Sequence, residues 1–239
     1  MTRRRWIAND WDSSSAVLTG QQALHLARVL RARPGMRFDV VAGERVWQAE
    51  IASATEEQVR FVLLEELDAE PALPLTLLIA VFKFDRLEWA IEKATELGVR
   101  RMVPVLARRT EKHLAQAAIS RVERWRRIAQ EAAKQSRRSQ VPAVADPTAL
   151  EKAVSLPPGT LGFVLSENAR QHTLRPAVAA AADQEIAMAT GPEGGWTAEE
   201  EALFNAQSWA AVSLGPRILR AETAVICAAA VLSALLDSW

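Results

Sequence analysis

The period of the hydrophobic positions changes along the chain, and those changes divide it. Up to about residue 70 the apolar residues come in short, partly alternating groups. Val40-Val41, the turn Ala42-Gly43-Glu44-Arg45 and the stretch Val46 to Ile51 predict a β-hairpin. Val59, Phe61 and Leu63 predict another strand, although Val62 and Leu64 interrupt its alternation. Between Thr19 and Leu30 the spacing predicts a helix with Leu24, Ala27 and Leu30 facing inward, ending before Pro34-Gly35. Glu65 to Pro74, acidic and holding two prolines, predicts a linker. The expected division is therefore a β-rich domain over 1–70 and a second domain over 71–239.

Beyond the linker the pattern lengthens. Leu75 to Phe82 is a continuous apolar run, as in a strand buried on both faces. A helix from about Arg86 to Leu97 follows, with Leu87, Ala90, Ile91, Ala94 and Leu97 inward and Gly98 as its stop. Val99 to Leu106 returns to strand character and completes a βαβ unit. Over 119–138, Val122, Trp125, Ile128, Ala129, Ala132 and Ala133 share one helical arc of about 140°. Arg124, Arg127, Lys134, Arg137 and Arg138 fall on the other side. Ser139 to Thr160 reads as connector, with a short helix opened by the capping box Thr148-x-x-Glu151. Strands are predicted at Leu161 to Leu165, Ile186 to Thr190 and Ala210 to Leu214. A second capping box, Thr197-x-x-Glu200, starts the helix between the last two. The final helix, Thr223 to Ser238, is apolar nearly all round, so it packs in the core or against another subunit. Strands alternating with helices predict an α/β fold with a parallel sheet.

In such sheets ligands sit outside the carboxyl ends of the strands. Three loops fall there: Ser166-Glu167-Asn168, Gly191-Pro192-Glu193-Gly194-Gly195, and Gly215-Pro216 running on to Arg220. Glycines at such places let main-chain groups approach a ligand closely. The first βα turn has no G-x-G-x-x-G and the chain has no G-K-[ST], so neither a dinucleotide fold nor a P-loop is supported. Arg217 and Arg220 are the candidate cations of the last loop, and Glu193 and Glu222 are carboxylates available as proton acceptors. Glu222 opens a helix, where the helix dipole alone favours a carboxylate. His25, His113 and His172 are scattered and show no metal spacing.

Composition narrows the partner. The formal net charge of the 239 residues is zero, but its distribution is uneven. Residues 1–37 hold seven Arg against Asp10 and Asp12, and residues 100–140 hold twelve Arg or Lys against three Glu. These stretches carry +5 and +9, leaving −14 elsewhere. Stacked like charges on a helix repel, so the helix at 119–138 points toward phosphates, with a solvated outer face as the plainer alternative. The longest apolar run, Ala224 to Leu236 broken only by Ser233, is too short to span a bilayer. One cysteine, Cys227, excludes an internal disulfide, fits a reducing compartment and reads as a small buried hydrophobe. Met1 to Ser15 has no apolar signal-peptide core. A cytoplasmic protein is expected.

At the glycine–proline loops the chain resembles the SPOUT superfamily of RNA methyltransferases, and within it the RsmE family. The residues carrying the resemblance are Gly191-Pro192-Glu193-Gly194-Gly195 and Leu214-Gly215-Pro216-Arg217-Ile218-Leu219-Arg220-Ala221-Glu222-Thr223-Ala224. Lys93 to Val99, Glu131 to Arg138, Arg4-Arg5-Trp6 and His25-x-x-x-Val29-Leu30-Arg31 support it. Glu92 stands where the family often has Gln, and Phe84 where Gly is common. The resemblance implies a PUA-like β-barrel followed by an α/β domain with a trefoil knot over about 161–239, and a homodimer. It implies S-adenosylmethionine as cofactor and methylation of N3 of a specific uridine in 16S ribosomal RNA, free or within the small ribosomal subunit, with no metal and no membrane. Cofactor contacts would fall at Leu165, Gly191, Gly194, Gly195, Leu214, Gly215, Ile218 and Leu219. Arg217, Arg220 and Glu193 would be catalytic. RNA contacts would fall at Arg4, Arg5, Arg31, Arg124, Arg127, Lys134 and Arg138. The rival readings are a non-catalytic RNA-binding assembly factor of the same fold and an α/β enzyme acting on a small phosphorylated metabolite.

Overall fold

Residues 5–43, 45–68, 72–169, 172–178 and 184–236 are described by the computed structural model. They fall into two units, 1–71 with 133–140 and 72–132 with 141–239.

In the first unit, β1 (Trp6–Ile7), β2 (Asp10–Trp11), β3 (Ser15–Thr19), β4 (Arg37–Ala42), β5 (Arg45–Ala54) and β6 (Gln58–Leu67) form one sheet. Its order is β1-β4-β5-β6-β3-β2, with β1 parallel to β4 and every other pair antiparallel. β1 and β2 are separated by only two residues yet lie on opposite edges of this order. The stretch 6–11 therefore bridges the two edges and closes the sheet into a small barrel. Val59 and Phe61 point into it, whereas Val62 and Leu64 face out, so the alternation of β6 is intact. Trp6 is core rather than surface, against His25.

Two expectations for this unit are corrected. The helix begins as α1 (Gly20–Leu24) and continues as a π-type turn over His25–Val29, where Leu30 N–H bonds to the His25 carbonyl. Gln22, Ala23 and Leu26 are buried, and Leu24 and Leu30 are exposed. The wider i→i+5 winding shifts the inward face away from the 3.6-residue spacing that singled out Leu24, Ala27 and Leu30. The linker is also shorter than Glu65 to Pro74. β6 continues to Leu67, paired with Val46, and the acidic Glu66 meets Arg45 across the strands at 3.1 Å.

The second unit contains β7 (Leu73–Ala80), α2 (Phe84–Glu96), β8 (Val99–Leu106), α3 (Lys112–Gln135), β9 (Ala143–Val144), β10 (Thr148–Ala149) and α4 (Leu150–Ala153). Then follow β11 (Thr160–Leu165), α5 (Leu174–Val178), β12 (Glu185–Thr190), α6 (Ala198–Ala206), β13 (Ala210–Val212) and α7 (Ala221–Leu235). The sheet is parallel throughout, in the order β10-β8-β7-β12-β11-β13, with β9 beside β8. Central strands are apolar on both faces because both are covered. Leu75, Leu77, Ile186 and Met188 enter the core shared with α2, α3 and α7. Leu78, Ala80, Ala187 and Ala189 enter the opposite core with α4, Phe204 and Trp209. α2 stops at Gly98, whose φ of +90° suits glycine and whose missing Cβ would lie 3.2 Å from Leu73.

The capping box at Thr197 forms, with Glu200 N–H on the Thr197 hydroxyl and Thr197 N–H on the Glu200 carboxylate. The one expected at Thr148 does not. Thr148 pairs with Val105 in the sheet, its hydroxyl donates to the Asp146 carbonyl, and α4 starts from Ala149 without a side-chain cap. α3 begins at Lys112, earlier than the spacing suggested. α7 is buried along Val225, Ala228, Ala229 and Leu232, but Ile226, Cys227, Ala230 and Val231 are half-buried. Cys227 is thus not the fully buried residue expected, and α7 keeps an apolar flank uncovered. No helix among the described residues is long and apolar enough to cross a membrane.

One local charge sets an acid limit on the first unit. The Asp12 carboxylate accepts hydrogen bonds from the N–H and hydroxyl groups of Ser14 and Ser15. The Ser14 N–H contributes most, and together they lower its pKa to about 2. A carboxyl depressed in the folded state stabilises it above the unfolded pKa near 4, and that stabilisation is lost as pH falls toward 2. Thermal melts of wild type and Asp12→Asn should therefore converge between pH 4 and pH 2. A constant gap across that window contradicts the assignment.

Candidate active site

β11 lies between β12 and β13, with Val164 beside Ala189 on one side and Leu165 beside Val212 on the other. That register puts the three chains leaving these strands side by side. They enclose a cleft of about 550 Å³ at the carboxyl edge of the sheet. All eight residues expected to touch a cofactor line it: Leu165, Gly191, Gly194, Gly195, Leu214, Gly215, Ile218 and Leu219. So do Glu193, Arg217 and Arg220.

Each loop is fixed from outside itself. The Arg109 guanidinium, from the turn after β8, donates to the carbonyls of Gly194 and Trp196. The Trp196 indole N–H donates to the Leu165 carbonyl at 3.1 Å, joining the glycine loop to the end of β11. Ser166 and Asn168 donate to the Glu201 carboxylate on α6. Ser213 exchanges main-chain hydrogen bonds with His172 and Leu174, which anchors the start of the last loop. Gly215 then turns with φ +119°, a conformation L side chains rarely adopt.

The charged groups separate into two sets. Arg217 and Arg220 are exposed at the rim, and neither guanidinium has a hydrogen-bond or ion-pair partner among the described residues. Arg86, on the first turn of α2, lies 3.2 Å from Glu193 and 3.7 Å from Glu222. The cation facing both carboxylates is thus Arg86 and not Arg220. The two carboxylate oxygens approach the same nitrogen, so they are at most about 7 Å apart. Without the cation their repulsion would cost about 2 kcal/mol or more at an effective dielectric near 20, reduced where water reaches Glu193. Glu222 is buried, and its second oxygen has no hydrogen-bond partner.

Arg86 and Arg109 were not singled out by sequence. Arg109 had a signal: it follows the carboxyl end of β8, the same position relative to its strand as the glycine loops. Arg86 had none, because its partners lie more than a hundred residues away.

The residues expected to meet RNA are dispersed. Arg4 lies outside the described residues. The Arg5 guanidinium donates to the Arg137 carbonyl, and Arg31 is exposed. Arg124 is engaged by Glu88 through bonds of 2.7 and 2.8 Å, while Arg127 stays exposed. Lys134 is buried, contrary to the expected outward face. Arg138 is half-buried, and desolvation lowers its pKa to about 10. α3 carries its last turn into the first unit, so the 3.6-residue pattern over 119–138 did not separate solvent from a second contact. The two departures from the family pattern are local. Glu92, with Glu96, binds Lys93 and raises its pKa. Phe84 packs edge-on against Trp125 beneath the Arg121 guanidinium.

Matches to known families give the class of this parallel α/β unit and of the barrel that precedes it in the chain: an RNA methyltransferase with a PUA domain. Residues 69–233 match the RNA methyltransferase domain family and residues 18–64 the RNA methyltransferase PUA domain family. Ribosomal RNA small subunit methyltransferase E of Synechocystis is 37% identical over 231 residues, 94% of this chain and 75% of its own. The Bacillus subtilis protein of the same name is 31% identical, covering 90% and 88%. The chain belongs to the ribosomal RNA small subunit methyltransferase E family. Among solved structures, that enzyme from Neisseria gonorrhoeae, bound to S-adenosylmethionine, superposes with a TM-score of 0.83 at 28% identity, covering 98% of each chain. A Legionella pneumophila methyltransferase in complex with the same cofactor gives 0.81 at 28% identity, covering 98% and 97%.

The clamp at Arg109 has a measurable consequence. Arg109→Ala should lower the melting temperature by roughly 2–5 °C, the loss of one or two charge-assisted hydrogen bonds in a chain of this size. It should also speed amide exchange over 191–196. Wild-type exchange in that segment contradicts the clamp.

Proposed function

We propose that this protein transfers a methyl group from S-adenosylmethionine to N3 of a uridine in 16S ribosomal RNA of the small subunit. The observation that carries this reading is the meeting of the two glycine–proline loops at one cleft whose rim holds the unpartnered Arg217 and Arg220. The cleft fits the cofactor. Its volume is within the range of small-molecule sites, its lining includes the residues that leave three strand ends, and Gly215 leaves open space where a Cβ would stand. Leu165, Gly191, Gly194, Gly195, Leu214, Gly215, Ile218 and Leu219 would hold it. Bound there, S-adenosylmethionine supplies a methyl group already activated on a positively charged sulfur.

The protein's share is to align uracil N3 and to favour its anion, since N3 keeps its proton at neutral pH. One cation about 4 Å away contributes roughly 4 kcal/mol at an effective dielectric near 20. That is about three pKa units before desolvation is subtracted. Arg217 or Arg220 supplies this cation, and the other holds a phosphate beside the flipped nucleotide. Glu193, engaged by Arg86, orients the loop in this reading; the N3 proton passes to solvent water as the anion forms, the N3–methyl bond replaces the sulfur–methyl bond, and S-adenosylhomocysteine is released. Arg127 on the second unit and Arg31 on the first remain exposed to meet RNA phosphates. The half-buried apolar flank of α7 supports a homodimer. The segment from β11 to α7 would carry the trefoil knot of the fold, and a ribosomal substrate would place the protein in the cytoplasm.

The test is mass mapping of small-subunit RNA after incubation with the protein and S-adenosylmethionine, with cofactor affinity measured separately. Wild type should add one methyl to one uridine. Arg217→Lys or Arg220→Lys should slow the transfer at least tenfold while cofactor affinity changes less than threefold. Wild-type turnover in both variants contradicts the role given to these arginines. RNA binding without cofactor uptake would favour a non-catalytic assembly factor.

A further inference from the structure

We infer that Arg86 is a positioning residue for methyl transfer: one guanidinium that ties the glycine loop, through Glu193, to the start of α7 behind the last loop, through Glu222. The inference rests on the reading of the cleft as the S-adenosylmethionine site. Glu193 sits in the middle of the glycine loop after β12, and Glu222 is the second residue of α7, directly behind the loop that follows β13. Neither loop has a charged link to the other except through Arg86, among the described residues.

Three observations point to a positioning role. Arg86 belongs to α2, a helix whose inner face is fixed in the core by Leu87, Ala90, Ile91 and Ala94. It is therefore a stationary point against which two glycine-rich segments can be set. Glu222 is buried with one oxygen toward Arg86 and the other unpartnered. Removing the one cation such a buried carboxylate has leaves its charge uncompensated, which is strongly destabilising. Glu193 lies within 4 Å of the same nitrogen, so removing the cation leaves two like charges near each other, one on the cleft lining and one buried behind it. The loops then separate, and the main-chain groups that surround the cofactor no longer match it. A guanidinium that contacted only the ligand would have no reason to engage both carboxylates.

Calorimetry with S-adenosylmethionine on the full chain tests this, alongside steady-state methyl transfer. Arg86→Met should weaken cofactor affinity tenfold or more and raise KM for the cofactor, with kcat at saturation falling less than threefold. Arg86→Lys should recover most of the affinity. Adding Glu193→Gln to Arg86→Met should also recover affinity, because it removes the repulsion without replacing the cation. If Arg86→Met binds the cofactor as wild type does, the inference is overturned. It is equally overturned if affinity falls and Glu193→Gln restores none of it, since Arg86 would then act by touching the ligand. Should Arg86→Met fail to melt cooperatively, Arg86→Met with Glu222→Gln, which removes both the unpaired buried charge and the repulsion, should bind the cofactor within about threefold of wild type, and a tenfold loss there overturns the inference. A wild-type protein that takes up no S-adenosylmethionine fails differently: the reading of the cleft falls, and this inference with it.

Discussion

The parallel pairing of β11 with β12 on one side and β13 on the other governs the rest of the second unit. Because the three strands run the same way and end at the same level, the chain segments leaving them emerge together. Loops separated by more than twenty residues thereby become neighbours. A shift of one residue in either register would turn Leu165 or Ser213 to the opposite face of the sheet. Side-chain size on the two faces prevents it: Phe163, Ile186 and Met188 fill one core while the smaller Val164, Ala187 and Ala189 fit the other. Register is therefore fixed by packing, and the cleft is a consequence of register.

Glycine-rich loops are poor at holding their own shape, because glycine loses the most conformational freedom on ordering. In this protein the ordering comes from side chains placed on rigid elements elsewhere. Arg109 after β8 holds the carbonyls of Gly194 and Trp196, and Glu201 on α6 holds Ser166 and Asn168. Arg86 on α2 engages Glu193 and Glu222. The loops can then present main-chain groups to a ligand while their anchors lie outside them. Arg217 and Arg220 are the contrasting case. Their guanidinium groups are engaged by nothing among the described residues.

Much of this was readable from the chain, for reasons that differ by element. The sheet of the second unit showed itself because strands buried on both faces leave uninterrupted apolar runs, as at Leu75 to Phe82. α2 showed itself because its inward residues repeat at 3.6 and Gly98 ends it. The eight positions that the family resemblance implied for a cofactor all line one cleft, because the loops that carry them leave neighbouring strand ends. What stayed hidden was set by tertiary contact. The π-type turn at His25–Val29 breaks the helical period, so its buried face fell on Gln22, Ala23 and Leu26 instead. Thr148 has the residues of a capping box but is held in the sheet. Lys134 reads as a surface cation, yet it is buried where α3 ends within the first unit. Arg86 and its two carboxylates share no local pattern, because the interaction exists only after the sheet has brought the loops together.

The account stands on the claim that both glycine–proline loops form one cofactor site. Hydrogen–deuterium exchange on the full chain, with and without saturating S-adenosylmethionine, addresses it most directly. The prediction is protection of amides in both 191–195 and 213–219, with little change on the solvent side of the barrel strands. Protection confined to one of the two loops, or absent from both, would contradict it.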